Sequence, residues 1–193
     1  ALARAQVGQF PRCDSLALNV ALTLEGVLTM AGREGSAEER EWIQALYRQA
    51  AERGDARAQC NLGYCYYRGI GVDEDDDKAA EWFAKSAQQR HPRAMSLLGE
   101  CYDLGCGVKK DEKRAAELYR SAHEMGYAPA TCSLALCYET GTGVEQDKTK
   151  AARLYRQAAE QDSARGLYLY GICCEMGRGT AQDSRKAAEC YRR

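Results

Sequence analysis

A period of 36 residues governs this chain. The frame Cys65-Tyr66-x-x-Gly69-x-Gly71-Val72-x-x-Asp75-x-x-Lys78-Ala79-Ala80 returns in register from Cys101, Cys137 and Cys173, with both glycines, the aspartate and the alanine pair kept each time. A period in the range of roughly 20 to 50 residues marks stacked supersecondary units, each too small to bury its own apolar face, so such a chain folds by stacking neighbour on neighbour. A further unit lies upstream, because the stretch Leu46 to Glu52 is repeated letter for letter from Leu154 to Glu160.

Each unit reads as two helices. Ala58, Leu62, Cys65, Tyr66 and Gly69 fall on one helical stripe and define helix A. Gly69 is expected to end it in a left-handed conformation, and Gly71 to turn the chain sharply. Asp75, with Asp111, Asp147 and Asp183 in register, then caps helix B. In helix B the small pair Ala79-Ala80 precedes Trp82-Phe83, which lets helix A approach while the rings fill the space toward the next unit. The first unit differs at both helices. Ser36 with Glu39 forms a capping box that starts its helix B about one turn early. Its helix A, placed within Ser15 to Ala31, is more apolar and matches the frame poorly.

These elements predict an all-α chain: an α/α solenoid of about five antiparallel helix pairs, following an N-terminal extension over residues 1–14. One array is expected over 15–193, divided into a degenerate unit 15–54 and units 55–90, 91–126, 127–162 and 163–193. Charge narrows the partners. With 27 basic and 28 acidic residues, the chain lacks the basic excess of a general nucleic-acid or anionic-membrane surface. Its most apolar stretch, Leu16 to Ala31, is interrupted by Asn19, Thr23, Glu25 and Thr29 and is shorter than the roughly 20 apolar residues a membrane span needs. The chain starts at Ala1 and stops within a helical pattern, which reads as a fragment and leaves room for a removed signal peptide.

The pattern Ala-x-x-x-Leu-Gly-x-x-Tyr-x-x-Gly-x-Gly-Val-x-x-Asp-x-x-Lys-Ala, as it stands from Ala58 to Ala79, resembles the Sel1-like repeat, a relative of the tetratricopeptide repeat. The resemblance covers Asp55 to Arg193 closely and the preceding unit loosely. Ala135, Gly166 and Cys174 depart from it. It implies a right-handed superhelix whose A helices line a concave side. It also implies an adaptor that assembles protein complexes, with no catalytic residue, no cofactor and no obligatory metal.

Ten cysteines raise the alternative of a disulfide framework. Cys65, Cys101, Cys137 and Cys173 recur at one position of helix A, where successive units place them about 10 Å apart, beyond the roughly 7 Å that a bridge allows between α-carbons. Pairs five residues apart, such as Cys60 and Cys65, are rotated by about 140° on a helix. Reduced, buried thiols are the expected state. A cysteine-rich bacterial subgroup of the resembled family, to which penicillin binding is ascribed, bridges helix A to a Cys near the end of helix B. Ala51, Ala87, His123 and Ala159 stand at those positions here. A small-molecule binder or hydrolase of that subgroup is the alternative function, and Cys174 with Cys190 is the one pair placed to bridge two helices of a unit. A third reading makes Cys106, in the turn between A and B, a redox switch. The chain has neither a C-x2-C nor an H-x3-H spacing, and its only histidines are His91 and His123.

The open residues of helix A form the candidate partner-binding face: Arg57, Tyr64 and Tyr67, then Arg93, Glu100 and Asp103, then Leu136 and Glu139, then Arg165, Tyr168, Ile172 and Glu175. Arginine near the start of helix A adds to the positive end of the dipole, and the tyrosines are candidate anchors for a peptide. Asp103, Glu139 and Glu175 sit at the unfavourable end of helix A, and Arg114, Lys150 and Lys186 at the unfavourable end of helix B. Pairing across the turn would cancel both costs. A protein or peptide partner, no nucleic acid and, on the unbridged thiols, a cytoplasmic location complete the expectation.

Overall fold

The computed structural model describes residues 16–30 and 35–193. Among them are ten helices and no strand. In chain order they are α1 (Leu16–Met30), α2 (Ala37–Glu52), α3 (Ala56–Arg68), α4 (Asp76–Gln88), α5 (Pro92–Leu104), α6 (Glu112–Glu124), α7 (Ala128–Thr140), α8 (Lys148–Glu160), α9 (Ala164–Met176) and α10 (Ser184–Arg192). Odd-numbered helices are of type A and even-numbered ones of type B. This is the helix-pair architecture that the period demands. The expected extension over residues 1–14 lies outside the described residues.

The punctuation follows the repeated residues. Gly69, Gly105, Gly141 and Gly177 end α3, α5, α7 and α9 with φ between +62° and +81°, and each amide donates back into the last turn. Asp75, Asp111, Asp147 and Asp183 accept from the backbone N–H three residues on, at 2.8–3.0 Å. Ser36 and Glu39 form the reciprocal box at the head of α2, with bonds of 3.2 and 2.7 Å.

The second glycine of each turn does more than turn the chain. Gly143 has φ +69°, and a methyl group added there would run into the carbonyl of Glu112, at the start of α6 in the preceding hairpin. Gly179 meets Lys148 in the same way, and Gly71 meets Arg40. At these three positions the A-to-B turn therefore rests on the first turn of the preceding B helix, backbone against backbone, and only glycine fits.

The chain forms two compact units, one up to Ser86 and one from Ala87 to Arg193. In the first, α2 packs between α1 and α3, and Phe83 of α4 lies over Gly63 of α3, whose missing side chain leaves the room. In the second, α5 to α10 pack each against the next, and the A helices α5, α7 and α9 also touch one another in order. The core of this unit is built of Ala115, Ala116, Tyr119, Leu134, Cys137, Ala151, Tyr155 and Cys173. The recurring cysteine of helix A is buried in the same core as the tyrosine of the preceding B helix, Cys137 with Tyr119 and Cys173 with Tyr155, where a thiol acts as a small apolar side chain.

Candidate functional site

In the second unit the A helices leave a groove of about 380 Å³. Glu100, Asp103 and Leu104 of α5 form one wall, Ser133, Leu136 and Thr140 of α7 the other, and Arg165 of α9 reaches its edge. Four of the candidate face residues are thereby brought together: Glu100, Asp103, Leu136 and Arg165. Leu104 is 59% exposed and Leu136 41%, so the groove offers apolar surface to solvent. Lys110 and Glu112 pair at 2.9 Å on its rim. Leu104, absent from the sequence-derived set, sits at the last position of α5, where a stripe argument assigns no face.

The acids beside the groove do not pair with the bases across the turn, and that expectation is corrected. Glu139 accepts a hydrogen bond from the Tyr155 hydroxyl at 2.9 Å, and Glu175 accepts one from Tyr191 at 2.9 Å. Asp103 faces Tyr119, the residue in register with those tyrosines, and its charge helps to raise the Tyr119 pKa, which burial raises most. The bases go elsewhere. Arg114 lies over the ring of Tyr102 at 4.6 Å, and Lys150 over Tyr138 at 4.1 Å while also donating to its hydroxyl at 2.8 Å. Lys186, whose tyrosine is replaced by Cys174, bonds Glu189 at 3.1 Å. The reason is helical rotation. Adjacent residues such as Tyr138 and Glu139 point about 100° apart, so the base reaches the ring and the acid turns toward the B-helix tyrosine.

The remaining candidates are dispersed. In the first unit Arg57 is exposed near the start of α3, while Tyr64 and Tyr67 are half-buried. Tyr67 packs edge-on against Phe83, with ring centroids 6.4 Å apart. In the second unit Arg93 is half-buried, Ile172 likewise, and Tyr168 lies 59% exposed beside Tyr191, 6.2 Å between centroids.

The described cysteines, Cys106 apart, and the two histidines are taken up in packing and capping. All nine described cysteines but Cys106 are buried. Burial pushes the Cys65 thiol up to about 12 and those of Cys137 and Cys173 up to about 11, which keeps them protonated and unreactive at neutral pH. His91 accepts from the Ala94 amide at 3.4 Å as the cap of α5. His123 bonds the buried Thr131 hydroxyl at 2.9 Å, and burial lowers its pKa. Among the described residues no group of His, Cys, Asp and Glu is disposed to hold a metal ion, and no helix is long and apolar enough to cross a membrane.

The Sel1 repeat model matches residues 44–55, 56–91, 92–127, 128–163 and 164–193. The chain belongs to the Sel1 repeat family. Members of that family are generally protein-interaction scaffolds and typically not enzymes. Among solved structures, a Sel1 repeat protein from Oxalobacter formigenes is 29% identical, with a TM-score of 0.80 over 95% of this chain and 72% of that one. The protective antigen c5321 of uropathogenic Escherichia coli is 26% identical, with a TM-score of 0.76 over 92% of this chain and 37% of the antigen. A putative sel1-like repeat-containing protein of Acanthamoeba polyphaga mimivirus is 53% identical over 38 residues, which is 20% of this chain and 6% of the viral protein's length. The Sel1 frame explains the two turn glycines and the helix-B aspartate of this chain as parts of one packing solution.

Proposed function

We propose that this Sel1 repeat chain is a scaffold that holds a peptide segment or protein domain against its A-helix face, without catalysing a reaction. The observation that carries this reading is the groove between α5 and α7, where exposed Leu104 and Leu136 lie among Glu100, Asp103 and Arg165. Apolar anchors ringed by charge are the composition of a protein-binding patch. The proposal extends to the face residues of the first unit, Arg57, Tyr64 and Tyr67, and to one array over residues 15–193. Cysteines at one recurring helix-A position, with Ala51, Ala87, His123 and Ala159 where a bridging partner would stand, support a reducing compartment such as the cytoplasm.

A peptide library selected on the whole chain, followed by hydrogen exchange of the bound form, tests this. Protection of α5, α7 and α9 is expected, with at least about a tenfold loss of affinity in Leu136→Glu, the cost of burying a charge beside apolar contacts. Protection confined to the B helices would refute it.

A further inference from the structure

The carboxylate row on the A helices extends that reading to the chemistry of the partner. Asp103, Glu139 and Glu175 stand at one repeat position on α5, α7 and α9, helices that touch in order. Each occupies the last turn of its helix, where a negative charge opposes the dipole. The fold itself does not require an acid there. In the first full repeat the same two positions carry Tyr67 and Phe83, which satisfy each other as an edge-on aromatic pair 6.4 Å apart. In the next three repeats both partners differ together: acid on helix A, tyrosine on helix B. The tyrosine hydroxyl then orients the carboxylate from behind, at 2.9 Å for Tyr155 on Glu139 and for Tyr191 on Glu175.

That bond uses one oxygen only. The other oxygen of Glu139 has Arg178 at 3.7 Å, a distance of charge attraction and not of a hydrogen bond. The groove beside the row adds Glu100 to Asp103, and one of its two cations, Lys110, is already bound to Glu112. Fixed acceptors at repeat spacing, next to exposed Leu104 and Leu136, complement a segment that carries both cations and apolar side chains.

Spacing selects the conformation of that segment. Packed helices of a row lie about 8–10 Å apart. A polyproline II chain rises about 3.1 Å per residue with three residues per turn, so every third side chain returns to the same side after about 9.3 Å. An extended β-strand puts every third residue on the opposite side. We propose that the second unit binds an extended basic peptide in polyproline II form. Lys or Arg at i, i+3 and i+6 meet Asp103, Glu139 and Glu175, and apolar residues between them rest on Leu104 and Leu136. This rests on the interaction-face reading above.

The test uses three synthetic peptides of equal length on the whole chain: lysine at i, i+3 and i+6 with Pro and Leu between, the same composition with its lysines contiguous, and glutamine in place of lysine. The spaced peptide is expected to bind at least about tenfold tighter than either control, with affinity falling as salt rises. The triple variant D103N/E139Q/E175Q should abolish that preference. At positions 139 and 175 the amide oxygen can still accept from the tyrosine hydroxyl, so circular dichroism should be unchanged. Equal binding of the glutamine peptide, with α5, α7 and α9 protected from exchange, would overturn the basic partner and leave the groove standing. Binding that protects only other helices would overturn both. Failure of the spaced peptide to bind overturns this inference alone.

Discussion

Gly143 is held by two constraints at once. Its φ of +69° is one that residues with a side chain rarely adopt, and the space where a methyl would go is filled by the Glu112 carbonyl of the preceding hairpin. Gly141, two residues earlier, has φ +81° but would meet only the Gln146 side chain at 3.3 Å. Gly141→Ala therefore costs about 1–2 kcal/mol of strain. Gly143→Ala adds the clash, for a total of about 2–5 kcal/mol. Urea denaturation of both variants checks this. Equal losses would show that contact between hairpins contributes nothing to the demand for glycine. The aromatic residues show a similar economy. Tyr155 fills the core with its ring, shelters Cys173 and fixes Glu139 with its hydroxyl, so one side chain links packing to the surface where a partner is proposed.

At the scale of the helix pair, α6 and α7 are joined by a bond that titrates. His123, in the last turn of α6, contacts the buried hydroxyl of Thr131 in α7 at 2.9 Å, and Thr131 donates in turn to the Tyr127 carbonyl at 3.3 Å. Burial lowers the His123 pKa against the opposing effect of Glu124. The folded pKa thus lies below the unfolded value of about 6.5, and the unfolded state takes up the proton first. Stability is full above that value and declines as pH falls through it toward the folded pKa. Thermal melts between pH 7.5 and 5.5, above the carboxylate range, should show a falling midpoint that flattens in His123→Gln. An identical slope in the variant would assign the pH dependence to other groups. In register with His123 stand Ala51, Ala87 and Ala159, so this device belongs to one repeat alone.

On the scale of the whole chain, the residues from Ala87 onward form a compact unit with three complete helix pairs. Repeat arrays gain stability from nearest-neighbour stacking, and about three repeats suffice. A fragment from Gln89 to Arg193, which begins just after α4 ends at Gln88, should therefore fold alone. Circular dichroism is expected to give a helical spectrum with a cooperative thermal transition. A spectrum of random coil would show that the first 88 residues are needed to fold the rest. Because the proposed carboxylate row lies within this fragment, it also offers a smaller vehicle for the peptide titrations.

The sequence alone determined the helix pairs, their turns and their caps, because these depend on local chemistry repeated in register: a left-handed glycine ends helix A, and an aspartate opens helix B. It also located the recurring buried thiol, since that cysteine falls on the packed stripe of helix A. Contacts reaching across a hairpin, or from one hairpin to the next, were decided only by tertiary structure. The second glycine read as the residue that turns the chain sharply, yet the backbone of the preceding helix is what forbids a side chain at Gly71, Gly143 and Gly179. The acids read as partners of nearby bases, but a rotation of one residue sends base and acid to different tyrosines. Leu104 gave no signal at all, because exposure at a helix end depends on what the neighbouring hairpin covers. A linear pattern fixes which residues share a stripe, and only packing fixes what that stripe meets.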